Sequence, residues 1–253
     1  MATQAVSGNN PSRRLDTRTR EQLKTISTAT MATLMFKRGL RNQFIQGVSR
    51  LTEHRKPMVG QAFTLRHIAA REDIDVSPIF RETGHPQRVA IETIPEGDVL
   101  VMDCRADATA ASLGGILATR LEVRQCAGFV SDAGVRDSDY IAALDMPVYC
   151  ASRSAPTNLT KHHAIDINVP VTCGSVPVYP GDVILGDGDG VMVIPLHLLD
   201  ELMPEALAME HFELFITALV RGGRSVIGTY PADEETLALY EEYKKTNPFL
   251  YGA

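Results

Sequence analysis

Between Ala111 and Tyr140 the chain reads ASLGGILATRLEVRQCAGFVSDAGVRDSDY, and this stretch gathers the residue types that chemistry needs. Gly114, Gly115, Ile116 and Leu117 open a predicted helix, where backbone N–H groups lack intrahelical acceptors. Such a turn attracts a carboxylate or phosphate, and glycine lets a ligand come close to the backbone. The same residues also read as a tight strand-to-helix turn that needs only conformational freedom. Twenty residues separate Gly115 from Arg136, and Asp137 follows at once. Arg136 offers a planar fork for a carboxylate. Asp137 offers a hard oxygen ligand suited to Mg²⁺ or Mn²⁺, which one or two carboxylates hold together with water and substrate. A surface ion pair, or Asp137 as a helix N-cap, is the plainer reading of the same two residues. Neither the P-loop pattern nor G-x-G-x-x-G is present.

The other polar clusters read as scaffold. His162 and His163 are expected in a solvated loop. Asp182, Asp187 and Asp189 in PGDVILGDGDG start like a calcium loop but lack the glutamate at its twelfth position, so turns are expected. Arg71, Glu72, Asp73 and Asp75 follow a strand and read as a pocket wall or a solvated loop. The lysines (Lys24, Lys37, Lys56, Lys161, Lys244, Lys245) all lie in polar or terminal segments, which argues against imine chemistry. No G-x-S-x-G elbow supports a serine hydrolase.

The elements that must position Arg136 and Asp137 follow from periodicity. Asp98–Asp103 (DVLVMD) is a nearly continuous apolar run, as in a strand buried on both faces. A helix is expected over Gly114–Cys126 with Ser112 as its cap, a strand over Gly128–Ser131, a short helix over Asp137–Ala143 and a strand over Pro147–Ala151. This alternation implies parallel strands with right-handed crossovers, with ligands at their carboxyl ends. Upstream, Thr17–Thr28 reads as a helix continuing into Ala32–Leu40, Gly60–Leu65 as a strand and Gln87–Thr93 as a helix. Downstream, Val169–Cys173, Ser175–Val178, Asp182–Leu185 and Val191–Ile194 read as short strands. Long and short helices follow at Leu198–Val220 and Glu234–Lys245.

The bulk numbers set limits. The sequence has 253 residues, 44% hydrophobic and 22% charged, the ordinary composition of a soluble globular protein; the α/β class is expected from the strand–helix alternation above. One domain is expected, with a core at about 60–195, a helical lead-in at 1–59 and helices at 196–253. A net charge of −6 opposes a nucleic-acid-binding surface, and no apolar run is long enough to span a membrane. The first residues, MATQAVSGNNPSRRLD, lack the apolar core of a secretory signal and read as a disordered lead-in. Cys104, Cys126, Cys150 and Cys173 are widely spaced in apolar surroundings, as buried free thiols in a reduced cytoplasmic setting would be.

In order and spacing, GDVLVMD, LGGILATR, GFVSDAGVRD, MPVYCAS and VPVYPGDVILGDGDGVMVIP resemble the RraA-like family. That family includes the regulator of ribonuclease activity A and the class II 4-hydroxy-4-methyl-2-oxoglutarate (HMG) aldolases. The resemblance covers roughly Gly60–Pro195. The tail RSVIGTYPADEETLALYEEY resembles a longer-chain branch of the family. It implies a swivelling β/β/α fold with extra N- and C-terminal helices, a homotrimer or hexamer, and an active site at a subunit interface. It also implies that Asp137 holds the divalent metal, that Arg136 binds a 2-oxo acid, and that the amides of Gly114, Gly115, Ile116 and Leu117 receive the substrate carboxylate. One position departs from the aldolases. They carry D-x₂₀-R-D, and this chain has Gly115 where that first aspartate stands. The acid helps order metal-bound water and proton transfer. Regulator-type members usually lack the metal-binding aspartate, which this chain keeps. Tyr140 stands where some relatives carry an acid, with Asp139 beside it.

The expected function is therefore a lyase dependent on Mg²⁺ or Mn²⁺ that works on a 2-oxo acid through an enolate. Retro-aldol cleavage of HMG and decarboxylation of oxaloacetate share that intermediate. The alternatives are a non-catalytic regulator that binds a ribonuclease or other protein, and a dehydratase of a sugar-derived 2-oxo acid. Neither nucleic acid nor membrane is an expected partner.

Overall fold

The computed structural model describes residues 13–248. The expected disordered lead-in falls mostly in residues 1–12, outside that range; its last residues are instead packed, with Leu15 buried, Arg14 paired with Asp98 and Asp16 capping the first helix.

A mixed sheet runs through the molecule. Its strands are β1 (Ser49–Arg50), β2 (Met58–Ala69), β3 (Val99–Asp103), β4 (Ala111–Leu113), β5 (Gly128–Val135), β6 (Val148–Arg153), β7 (His162–Ile167), β10 (Val183–Gly186) and β11 (Val191–Ile194). They are ordered β1-β6-β5-β3-β2-β10-β11, with β4 added to β5 and β7 added to β2. A separate hairpin joins β8 (Val171–Cys173) to β9 (Val176–Val178). The pairs β2–β3, β3–β5 and β5–β6 are parallel, as the strand–helix alternation requires. The added pairs β2–β7, β2–β10 and β10–β11 are antiparallel.

The helices are α1 (Thr17–Leu23), α2 (Thr28–Lys37), α3 (Pro86–Thr93), α4 (Gly115–Val123), α5 (Ser138–Ala142), α6 (Leu199–Arg221) and α7 (Glu234–Thr246). Strand alternation sorts the core. On β3, Leu100 and Met102 face Ile91 of α3, Leu121 of α4 and Ile141 of α5. Val99 and Val101 face the other way, toward Tyr149, Ile184 and the β8–β9 hairpin. A further cluster packs Leu23, Leu34, Met35, Leu199 and Leu202 on β10 and β11.

Four local expectations are corrected. The single helix over Thr17–Thr28 is two, because Ser27 caps a new one: its Oγ accepts from Thr30 N at 3.0 Å. Ser112 is not a helix cap. It lies in β4, and its buried hydroxyl donates to Ser131 Oγ at 2.9 Å. The strand at Gly128–Ser131 continues to Val135, fully buried along its length. The "loop" holding His162 and His163 is β7. His162 is buried there, and His163 Nδ1 meets the carboxylate of Asp75 at 2.7 Å. The turn reading of PGDVILGDGDG holds: Asp187 accepts from Thr28 N at 2.7 Å and from Thr28 Oγ1 at 2.8 Å, tying that turn to the start of α2.

Candidate functional site

β4 and β5 run parallel and end together, so the segments that follow them lie side by side. After β4 come Gly114 and α4; after β5 come Arg136, Asp137 and α5. Arg136 N donates to Leu113 O at 3.0 Å and stitches the two exits together. Asp137 adopts φ 57° and ψ 37°, a left-handed conformation that Asp tolerates better than most residues. The bend returns its carboxylate to the facing turn, where Oδ2 accepts from Gly115 N at 2.8 Å.

Both glycines are explained by this close approach. A Cβ at position 114 would stand 2.9 Å from Arg136 Nε and 3.0 Å from Asp137 Oδ2. At position 115 it would stand 3.1 Å from Tyr140 Cδ1 and 3.3 Å from Asp137 Cβ. The residue that lacks an acid is thus the immediate neighbour of Asp137, and the Tyr140 ring lies beside it. The Tyr140 hydroxyl is within 3.2 Å of Thr119 Oγ1.

The amides of the glycine turn divide into two kinds. Gly115 N is engaged by Asp137, and Leu117 N donates to Gly114 O at 3.1 Å. The N–H groups of Gly114 and Ile116 meet no acceptor among the described residues. Gly114, Ile116, Leu117, Arg136 and Asp137 all line one cavity of about 170 Å³, whereas Gly115, expected with them, is not part of its lining. That is smaller than the ~300–1,000 Å³ typical of drug-sized pockets, and suits a small acid.

Sequence reasoning missed part of the lining. Arg88, from α3, lines the same cavity, with its Cζ 4.8 Å from the Phe80 ring centroid. Its guanidinium is held below the usual arginine range, first by burial and then by the like charge of Arg136. Neighbouring Gln87 donates through Nε2 to Ser112 O at 2.6 Å and so fixes α3 against β4. Asn158 is also on the wall; its Oδ1 accepts from Thr157 Oγ1 at 3.1 Å, and its Nδ2 is buried with no acceptor among the described residues. No carboxylate pairs with Arg88 or Arg136 among the described residues. In sequence, position 88 is far from position 136 and falls within an ordinary helix, so no spacing marked it.

The cysteines behave as expected. All four are free and buried, and burial pushes the Cys126 and Cys150 thiols up to about 11. Burial thus favours the protonated thiol in both and works against thiolate chemistry at neutral pH.

A family model described as RraA-like, Aldolase/RraA, matches residues 23–193. A protein of Halalkalibacterium halodurans, provisionally named a 4-hydroxy-4-methyl-2-oxoglutarate aldolase, is 35% identical over 158 residues, 60% of this chain and 69% of the relative. An Ectopseudomonas mendocina protein with the same provisional name is 39% identical over 110 residues, 44% of this chain and 65% of the relative. Among solved structures, Streptomyces coelicolor RraAS2 superposes with a TM-score of 0.70 at 26% identity, covering 80% of this chain and 97% of that one. It is described as an unusual member of the RNase ES inhibitor RraA family.

Proposed function

The chain belongs to the RraA-like family, and from that membership and the cavity we propose that it is a lyase acting on a small 2-oxo acid through an enolate. One observation carries the reading: the Asp137 carboxylate is pinned at the mouth of a small cavity that also holds the unpaired guanidinium of Arg136.

The substrate carboxylate meets the Gly114 and Ile116 N–H groups, at the N-cap and in the first turn of α4. Arg136 donates to the keto oxygen and holds it more tightly as negative charge grows there. This is the differential binding that lowers a barrier. Asp137 fits a divalent cation, Mg²⁺ or Mn²⁺. Gly115 occupies its Oδ2, and its Oδ1 accepts no bond among the described residues. No group of three or more His, Cys, Asp or Glu side chains able to hold a metal occurs among the described residues, so the site is of the kind completed by water and substrate. When bound, such an ion supplies Lewis-acid polarisation of the keto group.

The lining also ranks the two reactions. Asp137 is the one carboxylate on the cavity wall among the described residues, and no histidine or lysine joins it. Retro-aldol cleavage needs a base to take the proton of the substrate hydroxyl, whereas β-decarboxylation needs only stabilisation of the enolate. Decarboxylation of an oxaloacetate-like acid is therefore the stronger activity in this proposal. Pyruvate release is measured by coupling to lactate dehydrogenase, with oxaloacetate or HMG, with and without Mg²⁺, against protein-free controls. Asp137→Ala should abolish the metal-dependent release, and wild-type activity in that variant sinks the assignment.

The non-catalytic reading draws on a different observation. Ile116 is 87% exposed on the first turn of α4, with Val123 and Tyr140 also exposed nearby. That apolar strip suits a protein partner or a second copy of the chain. No pyruvate from either substrate would favour this reading. The homotrimer or hexamer implied by the family belongs to the proposal, and light scattering after size exclusion tests it. The cytoplasmic setting is likewise proposed, supported by four free cysteines. No helix among the described residues is long and apolar enough to cross a membrane.

A further inference from the structure

We propose that the chain carries a second binding site, for a small organic phosphate, at the amino ends of its parallel strands. The site is separate from the cavity that holds Asp137 and does not depend on the reading above.

A cavity of about 390 Å³ lies there, against about 170 Å³ for the first. Gly97, Ala127 and Pro147 reach it from just before β3, β5 and β6, and Pro57 and Val59 from the start of β2. Arg136 and Asp137 follow the carboxyl end of β5, so β5 has one cavity at each end. Three cations line the second cavity, Arg20, Lys24 and Lys56, and no aspartate or glutamate does. Arg20 is the fixed member. Its Nη1 donates to Gly97 O and, at 3.3 Å, to Val59 O. A Cβ at position 97 would stand 2.7 Å from that nitrogen, so glycine is what admits the guanidinium. Nε and Nη2 of Arg20 meet no acceptor among the described residues, and no carboxylate there pairs with it. Asp98, which feels its charge, gives both oxygens to Arg14. A half-buried cation with spare donors and no counter-ion calls for an anion. Lys24 and Lys56 are more exposed. They pair with Glu21 at 2.7 Å and with Asp145 at 2.6 Å, but all four side chains face water, which screens these pairs and lets a multiply charged ligand displace them. The place of Lys24 at the end of α1 suits the helix dipole, which accounts for neither Arg20 nor Lys56.

This set fits a phosphate better than a carboxylate. A phosphate ester brings about two negative charges and three free oxygens. The guanidinium fork takes two of those oxygens, and the ammonium groups add point charges. Pro57, Ala127 and Pro147 are uncharged and offer the organic body an apolar wall.

Isothermal titration at low salt, without divalent metal, compares ADP with adenosine for the wild type, Lys24→Gln, Lys56→Gln, Asp145→Asn and Arg136→Met. ADP should bind and adenosine should not. Each lysine substitution should weaken ADP about 10-fold, the loss of one charge-assisted contact. Asp145→Asn, which frees Lys56, should tighten it, and Arg136→Met should leave it unchanged. Circular dichroism checks that each variant is folded. No binding of ADP by the wild type, adenosine binding as tightly as ADP, or ADP affinity unchanged in both lysine variants overturns the proposal. Loss of ADP binding in Arg136→Met alone would put the phosphate in the first cavity and overturns it too.

Discussion

At the scale of single residues, the site turns on Gly115. It is small where the resemblance to the aldolases implies an aspartate, and the space a Cβ would take is bounded by Asp137 and by the ring of Tyr140. Tyr140 is more than half exposed, so it can rotate outward. Gly115→Asp should therefore be accommodated and should restore a proton-handling group beside Asp137. Its expected signature is a rise in HMG cleavage relative to oxaloacetate decarboxylation, read in the same coupled assay. A ratio unchanged from the wild type would mean that position 115 does not govern the choice. Asp137→Ala should remove both activities together. Arg136, Asp137 and the glycine turn were legible in the sequence because their spacing and residue types are unusual together. Two facts were not legible. The Gly115 amide is engaged by Asp137, which depends on a left-handed bend at Asp137. Arg88 shares a cavity with Arg136, which depends on how α3 packs against β4.

At the scale of elements, the parallel strands and the helices between them could be read from periodicity, whereas β7 could not. Its sequence HHAIDI is polar, yet it pairs with the far half of β2 and buries His162 against His67, their ring centroids 6.0 Å apart. Polar residues in a strand mislead when their partners arrive from distant segments. His67 lies nearly fully buried, and its Nδ1 is within 2.9 Å of Asp103 O. Burial pushes its pKa down to about 4, with smaller contributions from His162, His85 and Arg105. The sign follows from linkage. The unfolded chain takes up this proton near pH 6.5 and the folded one only near 4, so stability is complete above 6.5 and falls as pH drops through that window. The loss is on the order of 3 kcal/mol. His85 and His162, also held low by burial, act in the same direction, while Asp98 and Asp132, held high by burial, act in the opposite one. Urea unfolding at pH 7.5 and pH 4.5 should show a smaller pH effect for His67→Asn, which keeps a donor toward Asp103 O, than for the wild type. Equal effects would remove His67 from the account.

At the scale of the molecule, three packed clusters share one strand. Leu65 of β2 belongs to the cluster beneath the site, Val59 to the cluster under α2 and α6, and Met58 and Ala62 to the one between them. One edge of β2 pairs with β3 over Ala62–Arg66. The other edge is divided: Met58–Gln61 takes β10, and Leu65–Ala69 takes β7. Between these, Ala62 and Thr64 bond to the loops on either side, through Gly181 N to Ala62 O at 2.9 Å and Asn168 N to Thr64 O at 2.7 Å. The middle of this strand is thus held on both edges, while Ile68 and Ala69 at its far end are exposed.

That commitment bears on which lengths of chain the fold can inherit. One extra residue after Phe63 would invert every side chain on one half of β2 relative to the other, and no choice of register could satisfy β10, β3 and β7 together. An extra residue at Asp73, an exposed position in the turn after β2, displaces no pairing. The first insertion should leave no folded protein by circular dichroism, and the second a folded protein that still binds its acid. Descendants of this chain can then lengthen the segment beside the cavity, and so change which acids it admits, while β2 keeps its count of residues.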